Sequence, residues 1–281
     1  MSFQPVVPFG GYAGWQFLTK TMAAQKAAFD NSTVQQRDAD YFTANIGKVT
    51  SADQLVADPK LLKVALGAFG LGDQANSTYL IKQVLTQGSN NSTALANQLT
   101  DKRYLALAQA FNFGDTTTPK TQSAGFAAQI VSAYQNQQFG AAIGTQDSNL
   151  QLALSMQTDL ANLASTGSSE TTKWYLVMGN PSMRTVFETA MELPTSFVSL
   201  NLDQQLTVFQ DKAQQMFGDS SVSQFSDPTK IDQLVKDFLV RSGDTSASQS
   251  SAGSIALALL GGSTAANINA ANSTGIVALF T

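Results

Sequence analysis

What most restricts the fold of this chain is a recurring punctuation. An Asp or Asn stands ahead of apolar residues that return at three- and four-residue intervals. Residues 55–71 read LVADPKLLKVALGAFGL. Pro59 suits the first position of a helix, where a missing N–H leaves no bond unmade. Asp58 before it can accept one of the exposed amides of the first turn. Leu61, Leu62, Ala65, Ala68 and Phe69 follow at helical spacing, until Gly70 and Gly72 stop the helix.

Residues 176–193, LVMGNPSMRTVFETAMEL, repeat the pattern. Leu55/Leu176 and Val56/Val177 set an offset of 121; Pro59/Pro181, Leu61/Met183, Val64/Val186, Ala68/Ala190, Phe69/Met191 and Leu71/Leu193 hold it at 122. Further on, Asp101 precedes Tyr104, Leu105, Ala108 and Phe111, while Asp227-Pro228 precedes Ile231, Leu234, Val235 and Phe238. Asp58 to Asp101 is 43 residues and Asn180 to Asp227 is 47. We read two related halves, about 37–115 and 173–243, joined by helices over about 120–165. Two units are too few for a solenoid.

The remaining segments also have helical period. Gly14 to Phe29 places Trp15, Leu18, Met22 and Phe29 on one face, and Val34, Tyr41, Phe42 and Ile46 anchor the next stretch. Ser51 with Gln54 three residues later predicts a capping box. Leu80, Ile81, Val84 and Leu85 run to Gly88, and STALANQL is another short amphipathic piece. Further helices are expected around Phe126, Ile130 and Tyr134, from about Ser148 to Leu163, and after Asn201 with Leu202, Leu206, Phe209, Ala213 and Met216 on one side. GDTTTPKTQS is the clearest linker. Almost no stretch alternates β-branched and polar residues. The expected fold is all-α: one multi-helix, bundle-like domain over 1–244, followed by an uncharged tail over 245–281.

Charged residues make up 13% of the chain, about half the usual share, and seventeen of the twenty acids are Asp. Asp favours caps and turns where Glu favours helix interiors. Net charge is −4 with no Lys/Arg cluster, so a nucleic-acid partner is not expected. The chain has neither Cys nor His, which removes disulfides, Cys/His zinc sites, thiol chemistry and His-based acid–base catalysis. The first twenty residues carry no signal-peptide pattern, and the longest apolar run, IALALL at 255–260, is too short to span a bilayer. Membrane insertion is not expected; the chain is expected to be soluble, or to leave the cell without a cleaved signal. Residues 242–254 read as a flexible linker. Beyond them, two apolar islets in an uncharged Asn/Ala/Ser background would aggregate if left free. The tail is therefore expected to dock on its own domain or on another subunit.

Asp58, Asp101, Asn180 and Asp227 could form a carboxylate set, but Asn180 cannot act as an acid or base and all four stand where helices start. Asp38 and Asp40, flanked by Arg37 and Tyr41, read as a solvated helix start, since i and i+2 side chains on a helix point apart. Gly10, Gly11 and Gly14 faintly echo a phosphate loop, but no strand precedes them and no Lys-Ser/Thr follows; a flexible lead-in with anchoring aromatics is the plainer reading. No Ser-x-x-Lys occurs for a serine nucleophile. The Asn-Ser-Thr triplets at Asn31, Asn76, Asn91 and Asn272 read as turns or caps. Gln25 and Arg103 could each bind a ligand, with structural hydrogen bonding the simpler role. No catalytic, cofactor-binding or metal-ligating residue is expected.

The blocks GGYAGWQFLTKTMAAQ, DYFTANIGKVTSADQLVADPKLLKVALGAFGL, LANQLTDKRYLALAQAFNFGD, LPTSFVSLNLDQQL and FSDPTKIDQLVKDFL stand in order over about 9–243. Together they resemble a bacterial family known as a domain of unknown function, number twelve-seventeen. That resemblance implies a place among flagellar genes of motile bacteria and no catalytic residues. The composition, low in charge and rich in Ser, Thr, Asn, Gln and Ala, is also that of axial flagellar proteins. The expected function is a non-enzymatic structural or protein-interaction component of the bacterial flagellum, with other flagellar proteins or a second copy as partners, in part through the tail. The alternative is a cytoplasmic chaperone or regulator of flagellar assembly or export.

Overall fold

The structure, a computed structural model, describes residues 3–115 and 118–249, with side chains as far as Ser242. Its regular elements are α1 (Gly11–Asp30), α2 (Thr33–Asn45), α3 (Ala52–Ala57), α4 (Pro59–Ala68), α5 (Thr78–Gln87), α6 (Leu95–Gln98), α7 (Arg103–Phe111), α8 (Phe126–Gly144), α9 (Ser148–Ala164), α10 (Glu170–Gly179), α11 (Pro181–Ala190), α12 (Leu202–Phe217) and α13 (Pro228–Gln249). Short 3-10 turns stand between several of them. Among the described residues there is no strand, and the fold is all-α.

Local chemistry explains the boundaries. Asp58 Oδ1 accepts the amides of Lys60 at 2.9 Å and Leu61 at 3.2 Å, with Pro59 at the first position of α4. Asn180 Oδ1 accepts those of Ser182 at 3.0 Å and Met183 at 3.1 Å, with Pro181 opening α11. The helix ends match as well. Leu71 N–H reaches back to Leu66 O at 2.9 Å, and Leu193 N–H to Glu188 O at 3.0 Å, the six-to-one bond of a Schellman ending. Every atom pair in these endings is displaced by 122 residues, so the sequence echo is a geometric one.

The buried side chains form two clusters. The first runs from Phe42 to Tyr134 and is largely aliphatic, with α4 at its centre: Leu61, Leu62, Val64, Ala65, Leu66 and Ala68 are all buried. Only Pro59, Lys60 and Lys63 of this helix are exposed, and a helix apolar over most of its circumference packs deep in a core. The second cluster gathers α9 to α13 together with Trp15, Leu18 and Phe29 of α1. It is aromatic: Trp174 stacks on Phe209 at 5.6 Å and meets Phe187 edge-on at 5.5 Å, while Phe187 meets Phe225 at 5.4 Å. Helix α8 serves both, giving Phe126, Ile130 and Tyr134 to the first cluster and Phe139 and Ile143 to the second.

Several expectations change. Val34 and Leu202, read as apolar-face residues, are 39% and 53% exposed; on α12 Phe209 and Ala213 are buried as expected and Leu206 and Met216 pack partly buried, while Gln205 and Phe217 are buried in addition. Ser51 accepts the Gln54 amide, but Gln54 Oε1 bonds the amide of Thr50 at 2.7 Å, so the predicted box closes one residue early. The linker GDTTTPKTQS is anchored at both sides of its undescribed Thr116–Thr117. Asp115 accepts the amides of Ser89 and Asn90, and the buried Thr121 hydroxyl bonds Val49 O at 2.6 Å. Helix α13 continues to Gln249 through the start of the expected 242–254 linker. The tail beyond Gln249, with Asn272, lies outside the described residues.

Gly67 sets the approach of α4 to α8: a Cβ there would stand 2.7 Å from the Tyr134 ring. Gly67→Ala is expected to destabilise the protein by about 1–2 kcal/mol, an overpacking cost partly offset by the better helix propensity of Ala. Urea unfolding of the variant against the parent measures it; an unchanged midpoint would mean that α8 gives way freely.

Candidate functional site

Three polar constellations qualify for chemistry. The expected set of Asp58, Asp101, Asn180 and Asp227 is dispersed. Asp58 and Asn180 cap α4 and α11, Asp101 Oδ1 accepts Arg103 N–H at 3.0 Å, and Asp227 Oδ1 accepts Thr229 N–H at 2.9 Å. Each holds its own local partners and the four share none. Partial burial works against the Asp58 carboxylate, yet the Tyr41 hydroxyl at 2.8 Å and the two amides outweigh it and hold its pKa below the ordinary value. The bond to Arg103 chiefly does the same for Asp101.

Asp38 departs from its expected role. It sits within α2 with its side chain 12% exposed, and its Oδ2 meets Lys63 Nζ of α4 at 2.5 Å and the Tyr134 hydroxyl of α8 at 3.1 Å. It joins three helices. Burial, then the charge of Asp38, pushes the Tyr134 phenol upward, so that hydroxyl remains a donor at ordinary pH.

The third constellation was not visible beforehand. Lys173 of α10 is buried, with Nζ 2.9 Å from Ala164 O, 2.6 Å from Ser223 Oγ and 3.3 Å from Glu170 Oε1. Glu170 also accepts the Val222 amide at 2.7 Å and the Ser223 amide at 3.2 Å, and the Ser223 hydroxyl donates to it. A serine, a buried lysine and a carboxylate in contact have the composition of a nucleophile with its base. The bonding argues otherwise. Three acceptors surround Lys173 Nζ, so its hydrogen-bonding directions are already taken. Burial opposes the charge on Glu170, but Ser223, Lys173 and the two amides hold its pKa below the usual range, which makes it a weak base. The cluster ties the end of α9, the start of α10 and the 3-10 turn Val222–Ser226 together. Fifty residues separate Lys173 from Ser223, so no local motif could have announced it.

The remaining candidates are structural. Gln25 holds Val6 on both sides, accepting its N–H at 2.6 Å and donating to its O at 3.1 Å, which fastens the N-terminal segment along α1. Arg103 grips Asp101 and donates to Gly70 O at 2.5 Å, closing the end of α4. A Cβ on Gly14 would lie 1.9 Å from Phe9 O, so this glycine serves close packing; of its neighbours Trp15 is buried and Tyr12 packs partly buried on the second cluster, whereas Phe9 is 60% exposed. Ser32 and Ser77 stand at the N-caps of α2 and α5 without a side-chain capping bond, and Asn91 closes a turn on Thr93 N–H at 2.9 Å. Among the described residues no group of three acids converges as metal ligands would, and no described helix is long and apolar enough to cross a membrane. A cleft of about 320 Å³ lies at the α1–α2 corner beside the end of α8, lined by Phe3, Phe29, Val34, Gln35, Ala141 and Ala142 among others, with no acid or base.

The family described as a protein of unknown function, DUF1217, matches residues 68–231. The chain belongs to this family. The match begins at the end of α4 and reaches the start of α13, inside the span over which the sequence resemblance was drawn. Among solved structures, protein AGR_C_984 of Agrobacterium tumefaciens is similar, with a TM-score of 0.68 at 21% identity over 85% of this chain and 97% of that one. At that identity the likeness speaks for the fold alone. No curated protein matches the DUF1217 chain.

Two outcomes follow for these groups. Asp58→Ala is expected to lower stability at pH 7 by about 1 kcal/mol, and Asp58→Asn by much less, because Asn caps equally well. Asp58 has a lowered folded pKa, so its electrostatic contribution is full above its unfolded value near 3.9 and is lost as pH falls through the folded value. Urea midpoints at pH 7 and pH 2.5 should therefore differ less for Asp58→Asn than for the parent. For Ser223, a fluorophosphonate probe is expected to leave the folded protein unlabelled. Stoichiometric labelling, abolished in Ser223→Ala, would overturn the structural reading.

Proposed function

We propose that this DUF1217 chain works by binding other proteins, as a structural or accessory component of the bacterial flagellum, and not by turning over a substrate. The observation that carries the reading is the segment Thr245–Thr281, which has no charged residue and two apolar islets. It follows a helical domain whose polar clusters are occupied in joining helices. Such a segment is a liability for an isolated chain and a contact element for an assembling one. Large apolar side chains on the second half, Val198 at 61% exposure and Leu176 at 44%, support it. The flagellar part rests on what the family resemblance implies and on the low-charge composition.

A pull-down from motile cells tests the reading, comparing the full chain with one ending at Asp244. The full chain is expected to capture flagellar proteins and the shortened one to lose at least tenfold of that capture while keeping its helical circular dichroism. Protein is expected in sheared filaments or outside the cell. Exclusively cytoplasmic protein with capture intact would favour a chaperone or regulator of assembly instead. Equal capture by the two chains would remove the tail from the mechanism.

A further inference from the structure

Residues 3–9, FQPVVPF, lie along α1 outside any regular element. Pro5 and Pro8 fix φ at about −65° and remove two donors, which favours an extended run with no hydrogen bonds of its own. Among the described residues this run makes no backbone–backbone hydrogen bond. Two glutamine side chains hold it instead. Gln25 of α1, only 8% exposed, accepts Val6 N–H at 2.6 Å and donates to Val6 O at 3.1 Å, and its amide also donates to Thr21 Oγ1 at 2.7 Å. Gln146, between α8 and α9, donates to Pro5 O at 2.6 Å. Pro5 is buried, and Phe3 and Val7 pack against the second cluster. A buried amide that takes both polar groups of one extended residue reads main chain and not side chain. Gln25 is a peptide clamp.

We infer that residues 3–9 are an exchangeable strap through which two copies of this chain pair, each laying its strap against Gln25 and Gln146 of the other. None of the contacts above depends on which copy supplies the strap, so the closed chain and the exchanged pair differ mainly at the hinge. The hinge is Gly10–Gly11, and it is tight. Gly11 takes φ +61°, and Phe9 O presses so close to Gly14 that a Cβ there would stand 1.9 Å from it. Swinging the strap outward releases both constraints, while the groove contacts re-form on the partner. The surface round the hinge is what such a pair needs. Exchange brings the two hinges together, and the side chains there include Phe9 at 60% exposure and Val240 of α13 at 46%, next to Leu239 O, which faces Gly11. Residues 3–19 contain no charged side chain, so two straps pass each other without repulsion. Exchange goes beyond the role proposed above, since it needs neither the tail nor a flagellar partner.

Hinge variants of the full chain test this, with self-association followed by sedimentation equilibrium over a concentration series. The parent is expected to dimerise on concentration. Gly14→Ala puts a Cβ where Phe9 O lies in the closed chain and leaves α1 intact, since Ala is the better helix former. Its dimer is expected to be at least tenfold tighter than the parent's. Gly11→Ala, which penalises only the positive φ, is the milder second variant and should tighten the dimer several-fold. Adding Gln25→Ala to either should undo the gain, because the clamp is then lost in both forms. The most direct readout is nuclear magnetic resonance on a mixture of two differently isotope-labelled samples of Gly14→Ala. Protons of Val6 and Val7 in one copy should show close contact with the Gln25 side-chain amide of the other. A parent that stays monomeric throughout the series, a hinge-variant dimer that survives Gln25→Ala, or contacts confined to one chain would each overturn the inference. The pull-down is read separately. A dimer without capture sinks the functional reading alone, and capture by a strict monomer sinks the exchange alone.

Discussion

Helix α8 is the element that both cores require. Its first half presents Phe126, Ile130 and Tyr134 to one cluster, and its second half presents Phe139 and Ile143 to the other. A helix that changes its buried face part-way along carries apolar side chains over more of its circumference than a surface helix does. The change falls just after Tyr134. There the ring lies against Gly67 while the hydroxyl leaves the apolar interior to bond Asp38, which Lys63 also holds. A phenol at the edge of a core, with its polar end satisfied, is a stable way to end one apolar surface and begin another. The register of α4 and α2 on α8 depends on that contact.

The two halves share their covalent grammar and differ in what they enclose. Asp58 and Asn180 each accept two amides; Asp101 and Asp227 each accept the amide two residues on. Within these frames one core is mainly Leu, Val and Ala, and the other is richer in Trp and Phe. Caps fix where helices begin; the volume between them is then filled by whatever packs at native density. The second half also takes in α1, which lies far from it in sequence, and the aromatic pair Phe29–Phe139 at 5.7 Å is part of that junction.

What could be read from the sequence follows from this division. Caps and helical period are local, so the all-α class, the boundaries of α4, α9 and α11 and the matching starts and endings of α4 and α11 are legible. Contacts between distant segments are not. Asp38 looked solvated because its partners lie 25 and 96 residues away, and Lys173 gave no sign of Ser223. The faces of α2 and α12 were misjudged at Val34 and Leu202 because periodicity says that a stripe exists, and the neighbours decide which edge of it is covered. Gln25 was singled out for its polar side chain on an apolar face, and the reason is a backbone segment nineteen residues earlier.

One position shows how the repeat has been put to separate use in the two halves. Gly70, at φ +69°, ends α4 in the left-handed conformation that glycine adopts freely. Its counterpart 122 residues later is Glu192, at φ +52°, where a side chain costs about 1 kcal/mol. The carboxylate meets Arg241 Nε of α13 at 2.9 Å, and the same guanidinium donates to Ala190 O at the end of α11. In the first half, Arg103 supplies the corresponding donor to Gly70 O from α7. Each capped helix therefore ends against an arginine from the last helix of its own half. In the second half the strained residue itself becomes the link, which ties the position of α13, and with it the point from which residues 250–281 depart, to the geometry of a single helix ending.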